Sequence, residues 1–157
     1  MVYNLIMNAA NLPYSVNFAN DENGEKFPKV RISVMIKNGQ KVFLIKKFIN
    51  NKDIFMLPGE FLSWGETLEV GARRACIETT GVDVKIGSLL GISDRISPTD
   101  DIHIIDVIFT GEFLDNLPVG DEFVYMSNEE INNNEVYPFK ILNINIDGSK
   151  YLGNDWE

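Results

Sequence analysis

The chain is poor in cysteine and histidine, with one of each in 157 residues. A single thiol, Cys76, cannot close an internal disulfide, which points to a reducing compartment. Met1 opens no basic, apolar, small-residue sequence, so no secretory signal is expected. No apolar run reaches the length of a membrane span. Together these features predict a cytoplasmic protein without a membrane partner. Positive charge is also scarce: 14 Lys and Arg stand against 23 Asp and Glu, a net charge of −9. That balance repels phosphate backbones and argues against long nucleic acid as a partner. A small polyphosphate held through a metal stays compatible with it, because the ion supplies positive charge locally.

What is present suits one globular domain. Hydrophobic residues make up 45% and charged residues 24% of the chain, ordinary values for a domain long enough to bury a core. Residues 1–27 read as an irregular leader, punctuated by asparagines and Pro13. Its Tyr14, Val16 and Phe18 are available for an edge strand or a homodimer contact, and local packing is the favoured reading. Residues 28–157 read as the single domain, with no internal repeat and no low-complexity linker.

Alternation predicts a strand over residues 29–36, with Val30, Ile32, Val34 and Ile36 on one face. Asn38-Gly39 is a two-residue hairpin signal. The returning strand covers 41–48, with Val42, Leu44 and the stem of Lys46 alternating. Residues 50–53 read as a loop and 55–57 as a short strand entering Pro58-Gly59. Leu68, Ala72, Ala75, Cys76 and Thr79 recur at three- and four-residue spacing and predict a helix over 67–79. Thr67 is placed to cap it and Gly81 to end it in the left-handed conformation. Strands follow over 82–92 and 102–113, joined by a loop at 94–101. A short strand over 123–126 leads to Ser127, which opens a short helix by the capping-box pattern. The tail from Tyr137 reads two ways: Asn143, Asn145 and Gly148 oppose a long helix, while Ile141, Leu142, Ile144 and Ile146 call for burial. This order predicts an α/β (α+β) fold, a mixed β-sheet sandwiched between α-helices.

The most informative stretch runs from Leu57 to Val82. It holds Gly59, Gly65-Glu66, Arg74, Glu78 and Gly81-Val82 at fixed spacing. The stretch resembles the Nudix box: Gly, five residues, Glu, seven residues, Arg-Glu-aliphatic, one residue, Glu-Glu, one residue, Gly-aliphatic. With the opening hairpin and the acidic segment at 127–131, the resemblance covers roughly residues 28–135. It implies a MutT-like fold and hydrolysis of a nucleoside diphosphate linked to another group, such as a nucleotide sugar. It also implies magnesium, or manganese in its place, to screen charge and activate water.

The box is degenerate where the family holds its metal. Its three glutamates, at i, i+3 and i+4 of one helical face, fall here on Ala75, Glu78 and Thr79. Only Glu78 keeps a carboxylate. Glu60 stands where the first box glycine is expected, with Gly59 before it. The resemblance implies that the Gly59 carbonyl helps hold the metal, and Glu60 adds a carboxylate at the mouth of the loop. Glu66 and Arg74 match a pair that ties loop to helix. Glu122 is the best match for a late ligand or base, ahead of Asp121 and Glu112, and each has a plainer reading as a surface acid. Glu69 should face away from the other box positions. Trp64 and Phe61 are placed to stack on a base or sugar, or to cover the core. Cys76 fills the aliphatic box position and reads as core. His103, between Ile102 and Ile104, reads as structural more readily than as a base. Relatives with an altered box that attack at carbon use a late histidine, and no histidine follows His103.

Two readings follow. One is a magnesium-dependent Nudix hydrolase of low or altered activity, in which Glu78, the Gly59 carbonyl and Glu60 hold the metal and Glu122 assists. The other is a non-catalytic Nudix domain that binds a nucleotide or sugar nucleotide. The sequence leans to the hydrolase, because one ligand and the loop survive, while Ala75 and Thr79 favour the binding domain.

Overall fold

The computed structural model describes residues 26–97, 102–138 and 151–154. Residues 1–25 of the expected leader, part of the 94–101 connection, and Ile141, Leu142, Ile144 and Ile146 of the tail lie outside the described residues.

Among the described residues, nine strands and two helices follow one another as β1 (Lys29–Asn38), β2 (Lys41–Ile49), β3 (Lys52–Met56), β4 (Gly59–Phe61), α1 (Leu68–Thr80), β5 (Val84–Ser97), β6 (Ile102–Phe113), β7 (Phe123–Met126), α2 (Asn128–Asn132), β8 (Val136–Tyr137) and β9 (Tyr151–Asn154). They form one mixed sheet in the order β8-β3-β2-β1-β6-β5-β9, with β4 joined to β1 and β7 to β2. The hairpin expected at Asn38-Gly39 is present: Asn38 stands opposite Lys41, and Gly39 has φ of 60°.

Alternation sends the strands' side chains to two cores. Ile32, Val34, Ile36, Phe43, Ile45, Ile54, Met56, Val107 and Phe109 meet Ala72 and Cys76 of α1. Met35, Val42, Leu44, Phe55, Leu57 and Ile108 meet Ile131 of α2. The two helices therefore cover opposite faces of the sheet, as the sequence pattern predicts. Full burial of a side chain such as Leu44 or Ile54 is worth about 1.5–3 kcal/mol. In the first core Phe43 lies edge-on to Phe113, with ring centroids 5.0 Å apart, and stacks on Phe123 at 5.7 Å.

Several expectations are corrected. Strand β2 buries both of its rows, Phe43 and Ile45 as well as Val42 and Leu44, because it is a central strand flanked by β1, β3 and β7. The loop at 50–53 shrinks to a tight turn at Asn50 and Asn51, both with positive φ, and β3 begins at Lys52. Residues 94–97 continue β5, paired against β6, where a loop was expected. On α1 the inward residues are Gly71, Ala72, Ala75, Cys76 and Thr80, while Leu68 is exposed. The caps stand as read: Thr67 accepts from the Val70 N–H, and Gly81 has φ of 74° with its N–H on the Ile77 carbonyl. Ser127 and Glu130 form the reciprocal capping box of α2.

Candidate functional site

Pairing of β4 with β1 sets the entry to the site. Gly59, Glu60 and Phe61 stand opposite Ser33, Ile32 and Arg31. A side chain at 59 would collide with the Ile32 carbonyl and approach Ser33 Oγ to 2.9 Å, so only glycine allows this close backbone approach. Leu62 N–H then donates to the Val30 carbonyl, and the chain turns through Ser63–Gly65 into α1.

Arg74 ties that loop to the helix. Its Nε donates to Glu66 Oε1 at 2.5 Å, and its Nη2 donates to Glu66 Oε2 and to the Phe61 carbonyl, both at 2.9 Å. The Ser63 N–H adds a bond to Glu66 Oε2. The hydrogen bonds from Arg74 and Ser63 hold the Glu66 carboxyl below its ordinary range. The remaining arm of Arg74, Nη1, donates to Glu78 Oε2 at 2.9 Å. The box pair expected from the sequence is thus present, and it has taken in Glu78 as a third member.

The other two positions of the expected carboxylate cluster offer little to a cation. Ala75 has no accessible surface. The Thr79 hydroxyl donates to the Ala75 carbonyl at 2.8 Å. Magnesium demands a near-octahedral shell of hard oxygens. One charge-paired carboxylate, one apolar side chain and one hydroxyl turned to the helix backbone do not fit it. Among the described residues no three His, Cys, Asp or Glu side chains converge to hold a metal. The expected set is Glu78 and the Gly59 carbonyl, helped by Glu60 or Glu122; the three carboxylates do not form one such group. Glu122 lies before β7, where its carbonyl accepts from Lys46 N–H and its carboxylate folds over Gly120.

Trp64 projects fully into solvent at the loop tip, while Phe61 is half-buried and offers its carbonyl to Arg74. Glu69 is exposed, as expected. Glu112 lies 3.8 Å from Lys85 on the surface, and Asp121 is exposed. His103 sits 3.8 Å from Asp94 on the neighbouring strand. Cys76 is in the core, where burial pushes its thiol up to about 11.

Two groups escaped the sequence reading. Arg31, Asp106 and Arg95 form a fully buried charged cluster across β1, β6 and β5. Arg95 Nε donates to Asp106 Oδ2 at 2.6 Å, and Arg31 Nη1 lies 3.6 Å from Asp106 Oδ1. Arg31 also donates to Ser33 Oγ and, at 3.1 Å, to the Leu57 carbonyl, so the cluster supports the segment leading into Gly59. A lone acid in the apolar run Ile104-Ile105-Asp106-Val107-Ile108 was the available signal. The second group is Lys47. It continues the row of Phe43 and Ile45 on β2, opposite Ile54. Partial burial lowers its pKa; the Glu60 carboxylate acts to raise it and Arg31 to lower it further.

A family model described as the NUDIX domain matches residues 27–148. The ADP-ribose pyrophosphatase of Methanocaldococcus jannaschii is 34% identical over 97 residues, which are 60% of this chain and 57% of that protein. The match thus spans little more than half of that relative's length. A crystal structure of a NUDIX hydrolase from Nitrosomonas europaea superposes with a TM-score of 0.60 at 22% identity, covering 83% of this chain and 80% of that one. A UDP-X diphosphatase structure gives 0.63 at 15% identity, over 81% and 68%. These two likenesses bear on the fold. Among the described residues no helix is long and apolar enough to cross a membrane.

Proposed function

The chain belongs to the NUDIX domain family, and from that premise we propose that it binds a nucleoside diphosphate linked to another group, such as a nucleotide sugar, with little or no magnesium-dependent hydrolysis. The observation that carries this reading is the donor set on α1. Ala75 is sealed from solvent, the Thr79 hydroxyl is bonded to the helix backbone, and Glu78 accepts one hydrogen bond from an Arg74 that it shares with Glu66.

In-line attack on a diphosphate needs a cation to screen the oxygens and to activate water. A single carboxylate already engaged by a guanidinium is a poor anchor for that ion. Arg74, by contrast, still braces the loop at the Phe61 carbonyl and at Glu66, which supports ligand binding. The name of the Methanocaldococcus jannaschii relative supports ADP-ribose as the first ligand to test. Trp64 is the side chain best placed to stack on its base.

A thermal-shift panel of ADP-ribose, UDP-sugars and dinucleotides, run in magnesium and in EDTA, tests this. Binding to the folded state should raise Tm in EDTA for at least one compound, with that compound recovered intact. Magnesium-dependent breakdown that disappears in Glu78→Gln would restore the hydrolase reading.

A further inference from the structure

Trp64 is held out in water by a braced turn. The Glu66 N–H donates to the Ser63 carbonyl, and the Ser63 N–H donates to the Glu66 carboxylate that Arg74 grips. Trp64, near the tip of that turn, is fully exposed. Other large apolar side chains are exposed at the same end of the fold. Phe61 stands opposite Arg31, and the Leu62 N–H bonds to the Val30 carbonyl. The antiparallel ladder of β4 and β1 therefore runs out with Trp64 and Phe27 at one end. Leu68 and Val70 lie in the first turn of α1, directly after the braced turn. Phe27 and Val70 are more than half exposed, and Leu68 is exposed as well. Apolar residues scattered singly on a surface are normal, but a group of four that includes a tryptophan marks a contact surface.

The chain supplies a matching segment at this place. Residues 1–20 carry no charged side chain, and a stretch of that composition lacks the charge that keeps polar tails solvated. Within it Tyr14, Val16 and Phe18 alternate, a pattern that puts all three on one face of an extended segment. The described residues begin at Lys26, next to Phe27, so the segment enters at the exposed group. The eight steps of chain from Phe18 to Lys26 reach up to about 26 Å, whereas the whole of α1 is about 20 Å long. We infer that Phe27, Trp64, Leu68 and Val70 form the docking surface for the leader of the same chain, which covers Trp64 through Tyr14, Val16 and Phe18 in the free protein. A short tether holds the leader at an effective concentration on the order of millimolar, which a second copy of the chain does not match in dilute solution. For ligand binding the consequence rests on the nucleotide-binding reading: a base that stacks on Trp64 must first displace the leader, so the leader lowers affinity without touching the box.

The test is tryptophan fluorescence of the full chain carrying Trp156→Phe, which leaves Trp64 as the only tryptophan. It compares this parent with Tyr14→Ser/Val16→Ser/Phe18→Ser and with Val70→Glu, which alters the receiving surface, using circular dichroism as the folding control. In the parent, Trp64 emission should be blue-shifted from that of a solvated indole and protected from acrylamide. In both variants it should move to the red, with quenching increased several-fold. Emission that is already solvent-like in the parent and unchanged in the variants overturns the inference. Protection that appears only as the chain dimerises, followed by sedimentation at rising concentration, overturns the assignment to the same chain. ADP-ribose, titrated calorimetrically in EDTA, should bind the triple serine variant several-fold more tightly than the parent. If Trp64 is uncovered as expected while ADP-ribose affinity stays unchanged, the docked leader stands and the stacking of a base on Trp64 fails.

Discussion

Arg74 Nη1 donates to Glu78 Oε2 at 2.9 Å along one turn of α1, so the last carboxylate of the box serves as the outer arm of a brace whose inner arm is Glu66. The two arms differ in weight. Glu66 receives two Arg74 nitrogens and the Ser63 N–H, whereas Glu78 makes one bond from a half-exposed position. Glu78→Gln should therefore change stability by about 0.5 kcal/mol or less. Glu66→Ala should lower Tm clearly more, because it releases the loop. Equal Tm losses in the two variants would show that the brace is not built this way.

Restoring the box should not restore its metal. Ala75 has no accessible surface, so Ala75→Glu must displace packed neighbours or strand a carboxyl, at a cost of about 2 kcal/mol or more. In Ala75→Glu/Thr79→Glu, magnesium should leave Tm where EDTA leaves it. A magnesium-dependent rise in Tm confined to the double variant would place a cation site on this face and contradict the reading of the helix.

Asp106 sits between two guanidinium groups with no accessible surface. Removing it leaves like charges facing each other in the interior. Asp106→Ala should cost about 3–5 kcal/mol in urea unfolding. A loss below roughly 1 kcal/mol, the range of exposed pairs, would mean that the cluster is solvated and does not support the Gly59 segment.

The acid limb of stability has an identifiable source at the end of α1. Arg73 donates twice to Asp83, at 2.8 and 2.6 Å, and holds its carboxyl at about 2, well below the ordinary range. A carboxyl depressed in the folded state stabilises fully above its unfolded pKa, and that contribution fades as pH falls toward the folded value. Asp83→Asn should therefore reduce stability at neutral pH and flatten the fall between the ordinary carboxylate range and about pH 2. An acid limb of unchanged steepness would assign that fall to other groups.

Local signals were legible, and packing-dependent ones were not. Thr67, Gly81 and Ser127 act on their own backbone, and each caps as its sequence context predicts. The limits of β6 are those of the apolar run. Strand β4 has three residues after a proline, and its strand character comes from pairing with β1. The helix faces the sheet through Gly71 and Thr80, and Leu68 stays outside, because the space left by Gly71 is taken by Leu62. Alternation puts the stem of Lys46 in the row of Val42 and Leu44, but in a strand buried on both sides Lys46 and Lys47 are both half-buried. At the site, Glu66 and Arg74 were readable as a pair. That Glu78 joins them was implicit in its four-residue spacing from Arg74, but the same spacing also suits a metal ligand, and only side-chain geometry separates the two.

The most direct test follows the phosphorus nuclei of ADP-ribose by NMR with the purified chain, first in EDTA and then with magnesium added. The account predicts that the diphosphate resonances shift or broaden in EDTA, that magnesium leaves the affinity essentially unchanged, and that the two diphosphate signals persist without conversion to monophosphates. Binding that appears only with magnesium, followed by steady conversion to monophosphates that Glu78→Gln abolishes, would contradict it.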